Sequence, residues 1–408
     1  MRRPVREAVA VQGLFILFGA VIAALFPFLT IYLRDKGLRA DQIGLALAAM
    51  AVVRTFVMPV WGHLADTRLG RLTALQLGML GAAAAAVAMT FSEGVAAVLV
   101  SGTLIFTFMV AVGPNVDSIA LEYLGSERMA DYGRIRGWES LSYAAGCLVF
   151  GATLEAAGLG WAMPIYALAG LGLLAWSMTI PRDRPKRTEE HGRLGAVGAV
   201  FREAPRFWGF LAALFLLWTG FNAAWNFFSL KIADQGGGPL LIGIGTALGG
   251  LVEVPTMRSS SSLQRRLGLR KVYMLGCAVY AVGFVLWGVI SDPTALSLLT
   301  VLEGMGFGLM FTTSVVVVGR LLPPSLYSTG NSVAGMVGFG LAPIVGAGFG
   351  GLVYEGAGPT ALFVGASGFA VAEGVVAWFA LSTPALSEPM ARLPVVEPSA
   401  GPDQGPLP

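Results

Sequence analysis

Apolar runs broken by short polar punctuation recur along the chain at about 9–33, 42–61, 72–91, 94–121, 135–157 and 161–180. After a charged stretch they resume at about 207–232, 240–258, 272–290, 294–319, 326–353 and 359–382. Each run is long enough to cross ~30 Å of hydrocarbon as a helix, and lipid offers free backbone groups no other partner. The pattern predicts an all-α membrane protein with twelve transmembrane helices in two pseudo-symmetric six-helix bundles, at 1–180 and 207–382. Residues 181–206 read as a cytoplasmic linker. Residues 383–408, rich in proline and poor in apolar side chains, read as a disordered cytoplasmic tail.

Composition agrees with this picture. Hydrophobic residues make up 55% of the 408 positions and charged residues only 12%, against about 25% in soluble domains. The length leaves no room for a sizeable soluble domain beside twelve spans. A net charge of +3 gives no reason to expect nucleic acid as a partner, and the distribution of charge says more than the sum. With both termini cytoplasmic, all but five of the 27 Lys and Arg fall on the cytoplasmic side, the exceptions being Arg34, Lys36, Arg39, Lys231 and the intramembrane Arg54. The positive-inside rule therefore sets that orientation in the cytoplasmic (inner) membrane. The first apolar run, Val9 to Tyr32, is too long for a signal-peptide core and reads as a retained span. Cys147 and Cys277 lie in apolar runs and define no disulfide framework.

The halves echo each other. Gly37 with Ile43-Gly44 recurs as Gly236 with Ile242-Gly243, and Leu154-Glu155-Ala-Ala-Gly158 recurs as Val353-Tyr-Glu355-Gly-Ala-Gly358. A parallel repeat of six spans is the signature of rocker-type secondary transporters, whose solute binds near the midplane between the halves.

The turn after the second run, Gly62-His-Leu-Ala-Asp66-Thr-Arg68-Leu-Gly70-Arg71, resembles the G-x-L-x-D-x-x-G-R loop of the major facilitator superfamily. Its glycines permit tight helix ends, and Asp66, Arg68 and Arg71 can exchange ion pairs with cytoplasmic helix ends, so it reads as a gating loop. The second-half counterpart, from Arg258 to Lys271, keeps basic residues but no acid matching Asp66. Phe26-Pro27-Phe28, Pro114-Asn-Val-Asp117 and Tyr132-Gly-Arg134-Ile-Arg136-Gly-Trp138 resemble segments of the lactose permease and phenylpropionate permease branch. The resemblance covers most of residues 10–382. It implies that Asp117 and Arg136 bind substrate hydroxyls and that Tyr143 stands where a tryptophan stacks on a sugar ring. An arginine fork beside a carboxylate also suits a hydroxylated or carboxylated ligand on chemical grounds alone, while a simple helix-to-helix pairing is the alternative. The departures argue against lactose itself: Glu303, Gly306 and Tyr280 replace the branch's span-nine and span-ten coupling residues, Asn222 and Trp225 replace charged-pair positions, and Glu139 replaces a glycine.

Ionisable side chains at bilayer depth cost several kcal/mol unless paired, wetted or neutralised, so each is a functional candidate. Arg54 and Glu253 occupy repeat-related places on spans two and eight, where they could meet across the cavity, clamp a ligand or pair separately. Pro255 removes a backbone bond near Glu253 and is expected to bend that span. Glu303 has no cation in its own span or span nine, which makes it the leading candidate proton carrier, with Glu253 second. Glu373 is expected to play a packing or lipid-interface role. Asn222 and Asn226 share one face of span seven with Trp218 and Trp225 nearby, a surface suited either to a ligand or to interhelical hydrogen bonds.

Glycine runs such as Gly304-Met-Gly306-Phe-Gly308 lie inside apolar helices and read as packing. His63 and His191 are far apart, so no metal site is expected, nor any cofactor. There is no Walker loop, nucleophile elbow or zinc-hydrolase motif, and the expectation is a transporter rather than an enzyme. The sequence thus predicts a secondary transporter of a small organic solute of the sugar, nucleoside or aromatic acid class, with proton symport as mechanism and a monomer sufficient. Proton-coupled efflux of hydrophobic compounds and a non-transporting receptor remain the alternatives.

Overall fold

In a computed structural model the chain is helical, with no strand among the described residues, which are 2–125, 131–180, 202, 204–323, 326–383, 386 and 388. Among the described residues eleven helices are long and apolar enough to cross a membrane. They are α1 (Val9–Asp35), α2 (Ala40–Leu69), α3 (Arg71–Thr90), α4 (Gly94–Leu124), α5 (Tyr132–Ala157) and α6 (Leu159–Ser177), then α7 (Pro205–Asp234), α8 (Pro239–Leu267), α9 (Leu269–Val289), α10 (Pro293–Leu321) and α11 (Thr329–Ala380). The chain is a multi-pass membrane protein. Most of the linker and tail, with His191, falls outside the described residues.

The last two apolar runs do not end and restart as two separate helices. They form one long element broken at Gly358, which alone within Ala342–Ala380 leaves helical geometry, at φ 87° and ψ 167°. Such a φ is strained for any residue with a Cβ, and Pro359 supplies no N–H to continue the preceding turn. The equivalent glycine of the first half, Gly158, has φ 96° and caps α5. Pro255 gives a different outcome: α8 runs unbroken from Pro239 to Leu267 through it.

Helices pack by the same scheme in each half. α1 lies on α5 and α6, α2 on α4, and α3 on α4 and α6; α7 lies on α11, α8 on α10, and α9 on α10 and α11. Across the halves α5 meets α8, α2 meets α11, and the outer part of α1 meets α7. Glycine makes two of these seams possible. A Cβ on Gly44 would stand 2.7 Å from the Gly351 Cα, and one on Gly151 would stand 2.8 Å from the Pro239 carbonyl. Removing the side chain lets backbone touch backbone, as in small-residue helix pairs generally. The third seam uses the break in α1 at Phe26-Pro27-Phe28: Ser229 Oγ donates to the Pro27 carbonyl at 2.8 Å, and Thr30 Oγ1 donates to the Asn226 carbonyl at 2.8 Å.

Two lysines fasten helix ends. Lys231, 2% exposed, donates to the Trp287 carbonyl and, at 2.7 Å, to that of Gly288, closing the C-terminus of α9. Lys36 does the same in the first half, donating to the Thr90 carbonyl of α3 at 2.7 Å. A cation there satisfies carbonyls without intrahelical partners and faces the negative end of the helix dipole.

Candidate functional site

Two clusters of polar side chains flank the plane between the halves. In the first, α8 and α10 bring Glu253 and Glu303 together. Glu303 is 4% exposed, and its Oε2 is buried without a hydrogen-bond partner. That oxygen lies against α8 at Gly249, where a Cβ would come within 2.8 Å of it. Glu253 stands one turn further along α8, so it shares that face. It is half-buried and within electrostatic range of Glu303. Tyr143, on α5 of the opposite half, lies within range of both carboxyls and packs beside Cys147, Ala144, Ala23 and Ala247. Three residues that the sequence singled out thus meet where α5 crosses α8. Tyr280 completes the wall, its ring packed where a Cβ on Gly306 would approach to 3.0 Å.

The second cluster sits at the termini-side ends of α4 and α5. Tyr132 donates its hydroxyl hydrogen to Asp117 Oδ1 at 2.7 Å, and Arg136 Nε lies 3.7 Å from Glu139 Oε2. No direct ion pair joins Asp117 to Arg136 among the described residues, although the two feel each other electrostatically. The Arg136 side chain is 52% exposed, and its guanidinium has more donors than this contact uses. Tyr132 and Glu139 belong to this cluster; the sequence named both but gave neither a role in the site. Tyr132 sits inside the Y-G-R segment, where its reach to Asp117 was the signal available.

Arg54 and Glu253 do not meet. Arg54 lines a pocket of about 150 Å³ in the first half with Phe18, Phe26, Met58 and Phe106, and makes no ion pair among the described residues. The repeat places the two residues equivalently, and Arg54 faces residues of its own half. Asn222 Nδ2 donates to the Trp218 carbonyl of its own helix at 2.7 Å. Asn226 is bonded through its backbone to Thr30, as described above. Around them runs an aromatic array: Trp218 contacts Phe339 at 4.6 Å and Phe221 at 5.4 Å between ring centroids, and Phe221 stacks on Trp225 at 5.9 Å.

The Gly62–Arg71 turn is wound as a π-helix over Ala65–Leu69, followed by Gly70 at φ 79°. Arg71 reaches Asp66 at 3.7 Å and Glu122 of α4 at 3.9 Å, so these contacts stay within the first half. A Cβ at Gly62 would meet open space, and Arg68 lies in the last turn of the π-helix, which ends at Leu69. Glu373 is fully buried, consistent with packing rather than a lipid-facing position.

The profile of the MFS_1 like family matches residues 9–364. The chain belongs to this family. Among curated relatives, this MFS_1-like chain is 28% identical over 337 residues to the maltose permease of Geobacillus stearothermophilus, covering 80% of this chain and 82% of that one. It is 25% identical over 283 residues to a probable 3-phenylpropionic acid transporter of Escherichia coli (strain K12), covering 68% and 72% respectively. Among solved structures it resembles the nucleoside transporter NupG with a TM-score of 0.81 at 16% identity, covering 92% of this chain and 99% of that one. That likeness concerns the fold. The chain is an MFS-type membrane transporter, and nothing in its family membership points to catalysis.

Proposed function

We propose that the chain moves a small organic solute across the cytoplasmic (inner) membrane by alternating access, driven by proton symport. The reading takes the break at Gly358 as the boundary between spans eleven and twelve, and assigns residues 1–180 and 207–382 to two six-helix bundles. Residues 181–206 and 383–408, with both termini, lie on the cytoplasmic side, in accord with the charge distribution. A single protomer contains every residue the mechanism uses.

The observation that carries the reading is the pair of carboxyls Glu253 and Glu303 facing Tyr143 across the α5–α8 crossing. Glu253 is the more accessible group and Glu303 the enclosed one. A proton taken up at Glu253 and passed to Glu303 changes the charge at a contact between the halves, which links proton binding to their relative motion. The solute is a sugar, nucleoside or aromatic acid. Its polar groups engage Asp117, Arg136 and Tyr143, while Arg54 offers a guanidinium to an anionic group, and the Trp218–Phe221–Trp225 array covers an apolar face. Asn226 and Asn222 border that array from α7.

Uptake into proteoliposomes enclosing a pH-sensitive dye tests this. Solute flux with matched internal acidification, lost in Glu303→Gln, is the expected result. Flux without proton movement would leave a facilitator. Extrusion of apolar compounds, which the aromatic array also suits, would replace symport by efflux. Binding without flux would make the chain a receptor.

A further inference from the structure

Four residues at the end of the molecule opposite the termini form two equivalent contacts. Ala40 opens α2, and its N–H donates to Glu355 Oε2 on α11 at 2.9 Å; Arg39 Nε lies 4.0 Å from the other oxygen. Leu240 lies in the first turn of α8, and its N–H donates to Glu155 Oε2 on α5 at 3.2 Å. The Gly238 backbone lies against the same Glu155 carboxyl, with no room for a Cβ. Glu155 and Glu355 occupy matching places in the repeat, and Leu240 stands one residue beyond Pro239, the match of Ala40. Each half therefore gives a carboxylate to the first turn of a helix in the other half.

These contacts have the strength a gate needs. The first N–H groups of a helix lack intrahelical partners and carry the positive end of its dipole, so a carboxylate there is held by a directional bond and by charge. Both carboxylates are exposed at the rim, so separating them from the helix ends returns them to water instead of stranding a buried charge. Backbone contacts at Gly44 with Gly351, and at Gly243 with Cys147, continue each contact inward along the same seam.

We propose that Glu155 and Glu355 are reciprocal latches that hold this end shut, and that their release from the α8 and α2 N-termini opens the solute path to the far side. The assignment rests on the alternating-access reading above, but it is testable without a solute. Cys147 is a native probe: it is fully buried on the α5–α8 seam, whereas Cys277 lies on the outer flank of α9 beside Gly374 of α11.

The experiment is maleimide alkylation of the full-length protein in nanodiscs, with each cysteine-containing peptide quantified by mass spectrometry. Glu155→Gln and Glu355→Gln should each raise the Cys147 labelling rate a few-fold, and the double variant should raise it about tenfold, since each helix-end contact contributes a modest bias. Cys277 labelling and the melting temperature should stay at wild-type values. Unchanged Cys147 labelling in a monodisperse double variant overturns the proposal, and so does an equal rise at both cysteines, which would mean general loosening. If the double variant is not recovered, Glu155→Gln alone decides, because Glu155 and Cys147 share a seam. A protein that shows the labelling response but no flux in proteoliposomes would retain the latches and lose the transport reading; flux without the response would do the reverse.

Discussion

The Lys231 ammonium donates to the Gly288 carbonyl at 2.7 Å from a site that is 2% exposed, and the same carbonyl accepts from Thr360 Oγ1 at 3.0 Å. One oxygen thus ties α7, α9 and the final segment of α11 together. Lys231→Met keeps the apolar stem and removes the charged donor, leaving the Trp287 carbonyl without this partner. The expected cost is about 2 kcal/mol, the usual worth of a buried charged hydrogen bond, read as a lower melting temperature in detergent. Lys36→Met, at a half-buried site, should cost less.

Gly249 and Glu303 compete for one volume, since a Cβ on the glycine would lie 2.8 Å from the carboxyl oxygen. Gly249→Ala should therefore lower stability and uptake in the parent protein. In a Glu303→Ala background the oxygen is gone, and the same substitution should be close to neutral for melting temperature. A double-mutant cycle with no coupling energy would refute the contact.

The hydroxyl of Tyr132 reaches Asp117 at 2.7 Å, so Tyr132→Phe removes one bond to a carboxylate while keeping the ring. The loss expected is about 1.5 to 3 kcal/mol of charged hydrogen bonding. If the carboxylate serves solute, this appears as a raised KM with the melting temperature little changed; a purely structural bond would show the opposite split.

Arg54 stands in its pocket without an ion pair among the described residues. Arg54→Gln should weaken uptake of an anionic solute tenfold or more, as expected for loss of a guanidinium–carboxylate pair, and leave a neutral analogue of the same shape nearly unaffected. Parallel uptake of 3-phenylpropanoate and its amide measures the difference.

The all-helical membrane architecture and the approximate limits of most spans were legible in the sequence because lipid forces helices and fixes their length, whereas the join between the last two runs was not. The repeat was legible at Glu155 and Glu355, but its meaning was not, because a helix-end contact between distant segments leaves no local pattern. Tyr143, Glu253 and Glu303 were each singled out in the sequence, but their proximity was not legible, because Tyr143 was read beside Asp117 and Arg136 and nothing local marks a neighbour from the other half. The separation of Arg54 from Glu253 was not legible either, since equivalence under a repeat fixes a position within each half and says nothing about the distance between them. Tyr132 was given no role in the site because an aromatic residue at a helix start is unremarkable until its hydroxyl finds a carboxylate on another helix. At Pro255 the expected loss of a backbone bond does not end the helix: α8 continues through it.

The glycine seams carry an electrical consequence. Where Gly44 meets Gly351 and Gly151 meets α8, the backbones touch closely enough that no file of water molecules fits between them. A proton hops readily along a water file, and such a file through the closed end would short-circuit the cell's proton gradient whether or not solute was bound. Dry seams remove that leak, and under the proposed symport they leave titratable side chains as the route across, so that the energy stored in the gradient would be discharged in step with the protein's own turnover.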